Sequence, residues 1–265
     1  MNYFEALVLA VIQGVTEFLP VSSSAHLILF SELLGANQNL FYDVSLHLGT
    51  LLAVCIYFRA DLRDILKSII RDKSFIKNQL AKNLIISSVP TLVMGYILID
   101  VIDLYLRSSH IIAFTTIFFG LVLYIATLRP QIKKDLYEIS SFDALIIGMA
   151  QALALIPGTS RSGITISAAL FLGLDNKTAS KFSFLLAIPT IGAIAVYQLL
   201  TIETGYLIQY AQFNLMGILV SFFIAYMTIE FFIRFINKIG FMPFIIYRIV
   251  PVSYTHLTLP TILRV

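Results

Sequence analysis

The chain is built around apolar runs long enough to cross a bilayer, and this leaves it few ways to fold. A spanning helix takes about 20 mostly apolar residues. The stretches 43–58, 84–102, 111–128, 182–200 and 213–233 each come near that length, and a sixth begins at Phe241. Of the 265 residues 58% are hydrophobic and 12% charged, against about 25% charged in a soluble domain. Mean hydropathy is +0.90. A disordered chain and a soluble globular domain are both excluded. A net charge of +3 is too small for the basic footprint of nucleic-acid binding. The single cysteine, Cys55, rules out an internal disulfide or a Cys-based metal site and reads as a packed apolar residue. Met1–Pro20 carries two Glu and no Lys or Arg, so no cleavable signal peptide is expected.

Two further apolar stretches, 4–35 and 143–173, are interrupted in the middle. The interruptions are Ser22-Ser23-Ser24 and Thr159-Ser160-Arg161-Ser162, each shortly after a proline, Pro20 or Pro157. Proline ends a helix and serine caps the next one, so each stretch is expected to form two half-helices joined by an irregular loop. Such backbone survives at membrane depth only inside protein or against a wet cavity. Loop 59–82 holds seven Lys/Arg, and loops 129–142, 174–181 and 234–240 hold most of the rest. The opposite loops, 36–42, 103–110 and 201–212, hold Arg107 alone. The positive-inside rule places the first group in the cytoplasm. Both broken stretches then become re-entrant hairpins entering from opposite faces.

That topology implies an inverted duplication. Ala6–Leu27 resembles the segment from Ala144, with Gln13 on Gln151 and, after a one-residue gap, Pro20 on Pro157 and Ser23 on Ser160. Gly49–Tyr57 resembles Pro189–Tyr197. The expected architecture is an all-α integral membrane protein with about six transmembrane helices and two re-entrant hairpins. One membrane domain covers 1–250, with repeats at about 1–128 and 143–250. Duplications of this kind place a site at the repeat interface, lined by the broken helices. The tail 251–265 is polar and rich in Thr, contains two prolines and reads like a translated sequencing adapter, so it is expected to be non-native.

Ionisable residues inside the membrane are functional candidates by default. Glu17, His26 and Arg161 lie at or beside the two breaks. Gln13 and Glu17 share a helix face at i, i+4. A carboxylate there suits a base or a ligand for a divalent cation, which takes one or two carboxylates plus substrate phosphates. Ser22, Ser23 and Ser24 sit where a half-helix begins, a place that favours phosphate. The plain alternative for any one of them is helix capping. Ser23 is the candidate nucleophile, with His26 or Glu17 near enough in sequence to serve as its base. Arg161 is read as the one Lys/Arg away from a membrane face. It lies in Pro157-Gly158-Thr159-Ser160-Arg161-Ser162-Gly163, a loop suited to close approach by phosphate. His47 and His110 are read as structural. The set fits phosphoryl chemistry on an amphiphilic substrate. A transporter or lipid flippase, polyprenyl-phosphate or ion-coupled, is the alternative from another class.

At these residues the chain resembles a known family. Gln13-Gly-Val-Thr-Glu17 is similar to the (E/Q)xxxE signature of bacterial undecaprenyl-diphosphate phosphatases, the bacitracin-resistance proteins, and Pro157–Thr165 to their PGxSRSxxT signature. The resemblance covers about 1–250. It implies hydrolysis of undecaprenyl diphosphate to undecaprenyl phosphate and inorganic phosphate, which recycles the lipid carrier of cell-wall synthesis. It further implies a multi-pass protein of the bacterial plasma membrane with its site open to the outer face. The expected cofactor is a divalent cation, Mg²⁺ or Ca²⁺. The expected partners are the polyprenyl diphosphate, membrane lipids and, as one option, a second copy in a homodimer. Carried over by position, Glu17 and Gln13 become the metal or base pair, Ser23 and His26 the nucleophile and its partner, and Arg161 the diphosphate clamp. Ser22, Ser24, Gly158, Thr159, Ser160, Ser162 and Thr165 become substrate-binding groups.

Overall fold

A computed structural model describes residues 2–35, 40–106, 108–131, 135–201 and 211–250. Arg107, Lys133, Lys134 and the tail 251–265 lie outside the described residues. Among those described every regular element is a helix, α or short 3-10. The main helices are α1 (Tyr3–Thr16), α2 (Ser23–Leu34), α3 (Leu40–Tyr57), α4 (Arg59–Asp72), α5 (Gln79–Tyr105), α6 (Ser109–Thr127), α7 (Ser141–Ala152), α8 (Arg161–Phe171), α9 (Asn176–Thr201) and α10 (Ala211–Ile239). A C-terminal helix follows at 242–250.

Four helices are long and apolar enough to span a membrane: Gln79–Leu98, Ser109–Thr127, Asn176–Gln198 and Ala211–Ile239. The pair Tyr42–Tyr57 and Arg59–Asp72, bent by 73° at their junction, makes a fifth if the two are taken as one span. The sequence reading treated 59–82 as loop, whereas most of it is helical. α4 puts Leu62, Ile65, Ile69 and Ile70 at helical spacing among its charges, as an amphipathic interfacial helix does. Its Asp61 pairs with Lys181 of α9 at 2.5 Å. Pro90 and Pro189 sit inside α5 and α9, where packed neighbours tolerate them. Phe114, Tyr96, Leu200 and Met227 remain exposed around the outside, the apolar belt that lipid covers.

Both broken stretches are pairs of short helices. α1 opens on an Asn2/Glu5 capping box and α7 on a Ser140/Asp143 capping box. α1 packs on α2, and α7 on α8. Packing between distant parts of the chain is reciprocal: α1 lies against α10, and α7 lies against α5. Glycines allow both approaches. A Cβ on Gly14 would stand 2.6 Å from Ile224 Cβ, and one on Gly148 would stand 2.6 Å from the Ser87 carbonyl oxygen. Small residues at such crossings let helix backbones meet in a bilayer. The main core gathers Phe18, Ile166, Phe182, Leu186 and Phe232 around the ends of the two breaks.

Candidate active site

The two breaks are built alike. Each half-helix after a break starts on a serine of positive φ, Ser22 at φ 72° and Ser160 at φ 70°. For a non-glycine residue this conformation costs about 1–3 kcal/mol and collects at functional sites. The shared backbone pairs Ser22 with Ser160, and therefore Ser23 with Arg161. The sequence alignment had put Ser23 on Ser160. It missed the register because the second loop holds one more residue between its proline and its strained serine. Ser23 and Arg161 are thus both the first residue of a half-helix.

Both point at Glu17, which ends α1 as its C-cap. The Ser23 hydroxyl donates to Glu17 Oε2 at 2.7 Å, and Gln13 Nε2 donates to the same oxygen at 3.0 Å. Arg161 Nη2 donates to Glu17 Oε1 at 2.8 Å. The carboxylate is 6% exposed and the guanidinium 14%. Arg161 also donates to the Ser183 carbonyl at 3.1 Å and lies 5.8 Å from the Phe18 ring centroid. Thr165 supports it from below, bonding the Arg161 carbonyl at 2.8 Å and the Ser183 hydroxyl at 2.7 Å. The Ser162 hydroxyl donates across to the Leu19 carbonyl at 2.9 Å and so ties one break to the other.

The remaining residues fall around this centre. Ser160 Oγ caps α8 by accepting from Gly163 N at 3.2 Å. Ser22 makes no equivalent side-chain cap on α2; its hydroxyl is 3.3 Å from that of Ser24. The N-terminus of α2 therefore keeps uncapped donors beside Ser23. Gly158 takes φ 89° and packs so closely on α6 that a Cβ would collide with Thr115 Oγ1. Thr159 is buried, and its hydroxyl has no hydrogen-bond partner. His26 does not bond Ser23. Its Nδ1 is 2.7 Å from the Ser22 carbonyl, so that nitrogen carries the proton, and Nε2 accepts from the Tyr247 hydroxyl at 2.7 Å. Within this arrangement the proton acceptor in contact with the Ser23 hydroxyl is Glu17.

Three site residues escaped the sequence reading. His47 reaches in from α3 with Nε2 3.8 Å from Glu17 Oε2. It sat inside an apolar run, the signal used for His26, but its neighbour in space is thirty positions away in sequence. Tyr247 stacks on His26 with centroids 5.6 Å apart. Arg248 is wholly buried beside both breaks, so Arg161 is not the only internal cation. The incomplete look of the last apolar run hid it.

Next to Glu17 a cavity of about 230 Å³ opens between α2, α3 and α9. Leu27, Val44 and Ile194 make it mostly apolar, while Ser24, Asp43, His47 and Gln198 add polar groups to its wall. Among the described residues no group of three or more His, Cys, Asp or Glu forms a metal cage. The chain does offer two hard oxygen donors one helical turn apart on α1, the Glu17 carboxylate and Gln13 Oε1. Gln13 turns its Nε2 toward Glu17, and its Oε1 is buried without a hydrogen-bond partner. With that amide turned over, the pair would suit a divalent cation sharing its remaining positions with substrate phosphate oxygens and water.

Comparison with known proteins shows the family. The family model for "Bacitracin resistance protein BacA" matches residues 6–253. Undecaprenyl-diphosphatase 1 of Pseudoalteromonas translucida is 46% identical over 94% of this chain and 96% of its own length. Undecaprenyl-diphosphatase of Aliivibrio salmonicida is 47% identical over 94% of this chain and 95% of its own. That of Marinobacter nauticus is 46% identical, again over 94% and 96%. With both signatures converging on one buried carboxylate, and with a match of this extent, the chain belongs to the BacA family of bacitracin-resistance proteins.

Proposed function

We propose that this multi-pass membrane protein hydrolyses undecaprenyl diphosphate to undecaprenyl phosphate and inorganic phosphate, recycling the lipid carrier and giving resistance to bacitracin. The observation that carries the mechanism is the convergence of Ser23 and Arg161, from different breaks, on the Glu17 carboxylate. A hydroxyl within hydrogen-bond reach of a carboxylate is a nucleophile with its base in place. The diphosphate draws Arg161 from Glu17, because a guanidinium grips phosphate in bidentate fashion. Glu17 then accepts the Ser23 proton as Ser23 Oγ bonds to the terminal phosphorus and the bridging P–O bond breaks. Undecaprenyl phosphate leaves. The proton passes from Glu17 to the departing undecaprenyl phosphate, so the carboxylate is restored; it then deprotonates the water that cleaves the phosphoserine, and it returns that proton to Ser23 Oγ as inorganic phosphate leaves. Developing charge is met by Arg161 and by the free N–H groups at the start of α2. A divalent cation held by Glu17 and Gln13 would neutralise phosphate charge in the bound complex.

The apolar cavity beside His47 suits the first isoprene units, leaving the diphosphate beside Glu17. We place its mouth at the outer face of the plasma membrane, since the cationic loop 59–82 marks the opposite side as cytoplasmic. The reciprocal packing of α1 on α10 and α7 on α5 is the arrangement an inverted duplication produces.

The test is phosphate release from undecaprenyl diphosphate by the purified protein in detergent, with Mg²⁺ and with chelator. Release that depends on the metal and disappears in Ser23→Ala is the expected result. Binding without release by folded protein would refute the reading and favour a transporter.

A further inference from the structure

Arg248 is 0% exposed and heads the fully buried side chains by volume among the described residues. A buried cation is tolerated when it is paired or when its hydrogen bonds are met. No carboxylate lies within ion-pair distance of Arg248 among the described residues. Backbone carbonyls hold it instead. Nε donates to Thr116 O at 3.0 Å, on α6. Nη1 donates to Pro20 O at 3.4 Å, in the first break. Nη2 donates to Gly158 O at 3.0 Å and Thr159 O at 2.9 Å, in the second break. Carbonyls in a broken helix lack the partner a continuous helix would supply, and at membrane depth no bulk water replaces it. One planar guanidinium with donors fanned in fixed directions meets three of them, Pro20, Gly158 and Thr159, and Thr116 Oγ1 also donates to Gly158 O at 3.2 Å. Two glycines make room for it: a Cβ on Gly163 would stand 2.8 Å from Arg248 Nη1, and one on Gly120 would stand 3.3 Å from Arg248 Cβ.

The two loops so joined carry the reacting groups. Pro20 lies between Glu17 and Ser23, and Thr159 lies two residues before Arg161. The preceding residue on the same helix, Tyr247, holds His26. We propose that Arg248 is a positioning residue that pins the two breaks in register, so that Ser23 and Glu17 from one and Arg161 from the other meet a single phosphoryl group. The inference rests on the phosphatase reading. Arg248 faces the backs of the loops and stabilises their geometry, while Arg161 takes the substrate. Lysine is no substitute, because a single ammonium cannot span carbonyls on three separate segments.

The test compares the unmutated full-length protein with Arg248→Ala and Arg248→Lys in detergent. It reads kcat, KM and thermal midpoint with undecaprenyl diphosphate. A small displacement of reacting groups costs about 10²-fold, so Arg248→Ala should lose about that in kcat while KM stays within about threefold. Added guanidinium should restore kcat by at least about tenfold, and equimolar ammonium should not. Arg248→Lys should remain about tenfold or more below the unmutated protein. A kcat per folded molecule within about threefold in Arg248→Lys, or a loss in Arg248→Ala that guanidinium does not relieve, overturns the proposal. If Arg248→Ala does not fold, Arg248→Lys decides by the same threshold. An unmutated protein that releases no phosphate fails the phosphatase reading instead, and the first sample separates that case.

Discussion

Glu17 is held by Ser23 and Gln13 on one oxygen and by Arg161 on the other. Its neighbours make different contributions, so their removal should separate. Glu17→Gln keeps the shape but removes the base and should lower kcat by about 10²–10⁴-fold. Arg161→Ala should also destabilise the protein by about 3–5 kcal/mol, because it strands a buried carboxylate. Thermal unfolding in detergent, read beside turnover, shows both effects. Tyr247→Phe removes only the donor to His26 Nε2 and should leave turnover far above that of Ser23→Ala. A loss equal to that of Ser23→Ala would instead put His26 in the chemistry. Glu17, Ser23 and Arg161 were legible in the sequence because each is a polar intruder in an apolar stretch. His47 carried the same signal, but its meaning depends on α3 folding back over the first break. Arg248 needed the whole packing of the C-terminal helix, since nothing local shows which carbonyls it meets.

At the scale of elements, the two half-helices begin with the same strained serine but differ in their caps. Ser160 satisfies Gly163 N, whereas Ser22 leaves the start of α2 uncapped. A capped terminus has its donors met; an uncapped one favours phosphate. In the proposed mechanism this difference gives anion binding to α2 and rigidity to α8. Close helix crossings are the other element-scale feature. Gly148→Ala would drive a methyl into the Ser87 backbone of α5, which has no flexible end to give way. It should cost about 1–3 kcal/mol, checked by the thermal midpoint of the purified protein. The breaks themselves were readable from Pro20 and Pro157 followed by serines. α4 was not, because its charges and serine masked an apolar spacing that only a membrane interface makes worthwhile. The Ser22–Ser160 register was also hidden, since it is a matter of backbone angle and not of side-chain identity.

For the molecule as a whole, sidedness is the property most open to test. With Cys55 replaced by Ala, a cysteine at Ser24 in the cavity should react with an impermeant maleimide from outside intact cells, and a cysteine at Lys67 on α4 should react only after the membrane is opened. The reverse pattern would invert the topology and move the site to the cytoplasmic face. Asp61 and Lys181 link α4 to α9. Both side chains are partly exposed there, so Asp61→Asn should cost less than about 1 kcal/mol by thermal unfolding and leave turnover unchanged.

The amino-acid sequence by itself determined the solvent this protein lives in, the positions of its broken helices and the chemical type of the polar groups at its candidate site. These follow from hydropathy, proline and serine chemistry, and the cost of charge in a bilayer, all of which act locally along the chain. Tertiary structure alone decided which groups meet. The pairing of Ser23 with Glu17 rather than His26, the entry of His47 and the anchoring of both breaks by Arg248 depend on helices far apart in sequence. Such contacts are set by close packing and by the need to satisfy every buried carbonyl, and no local window of sequence contains that information.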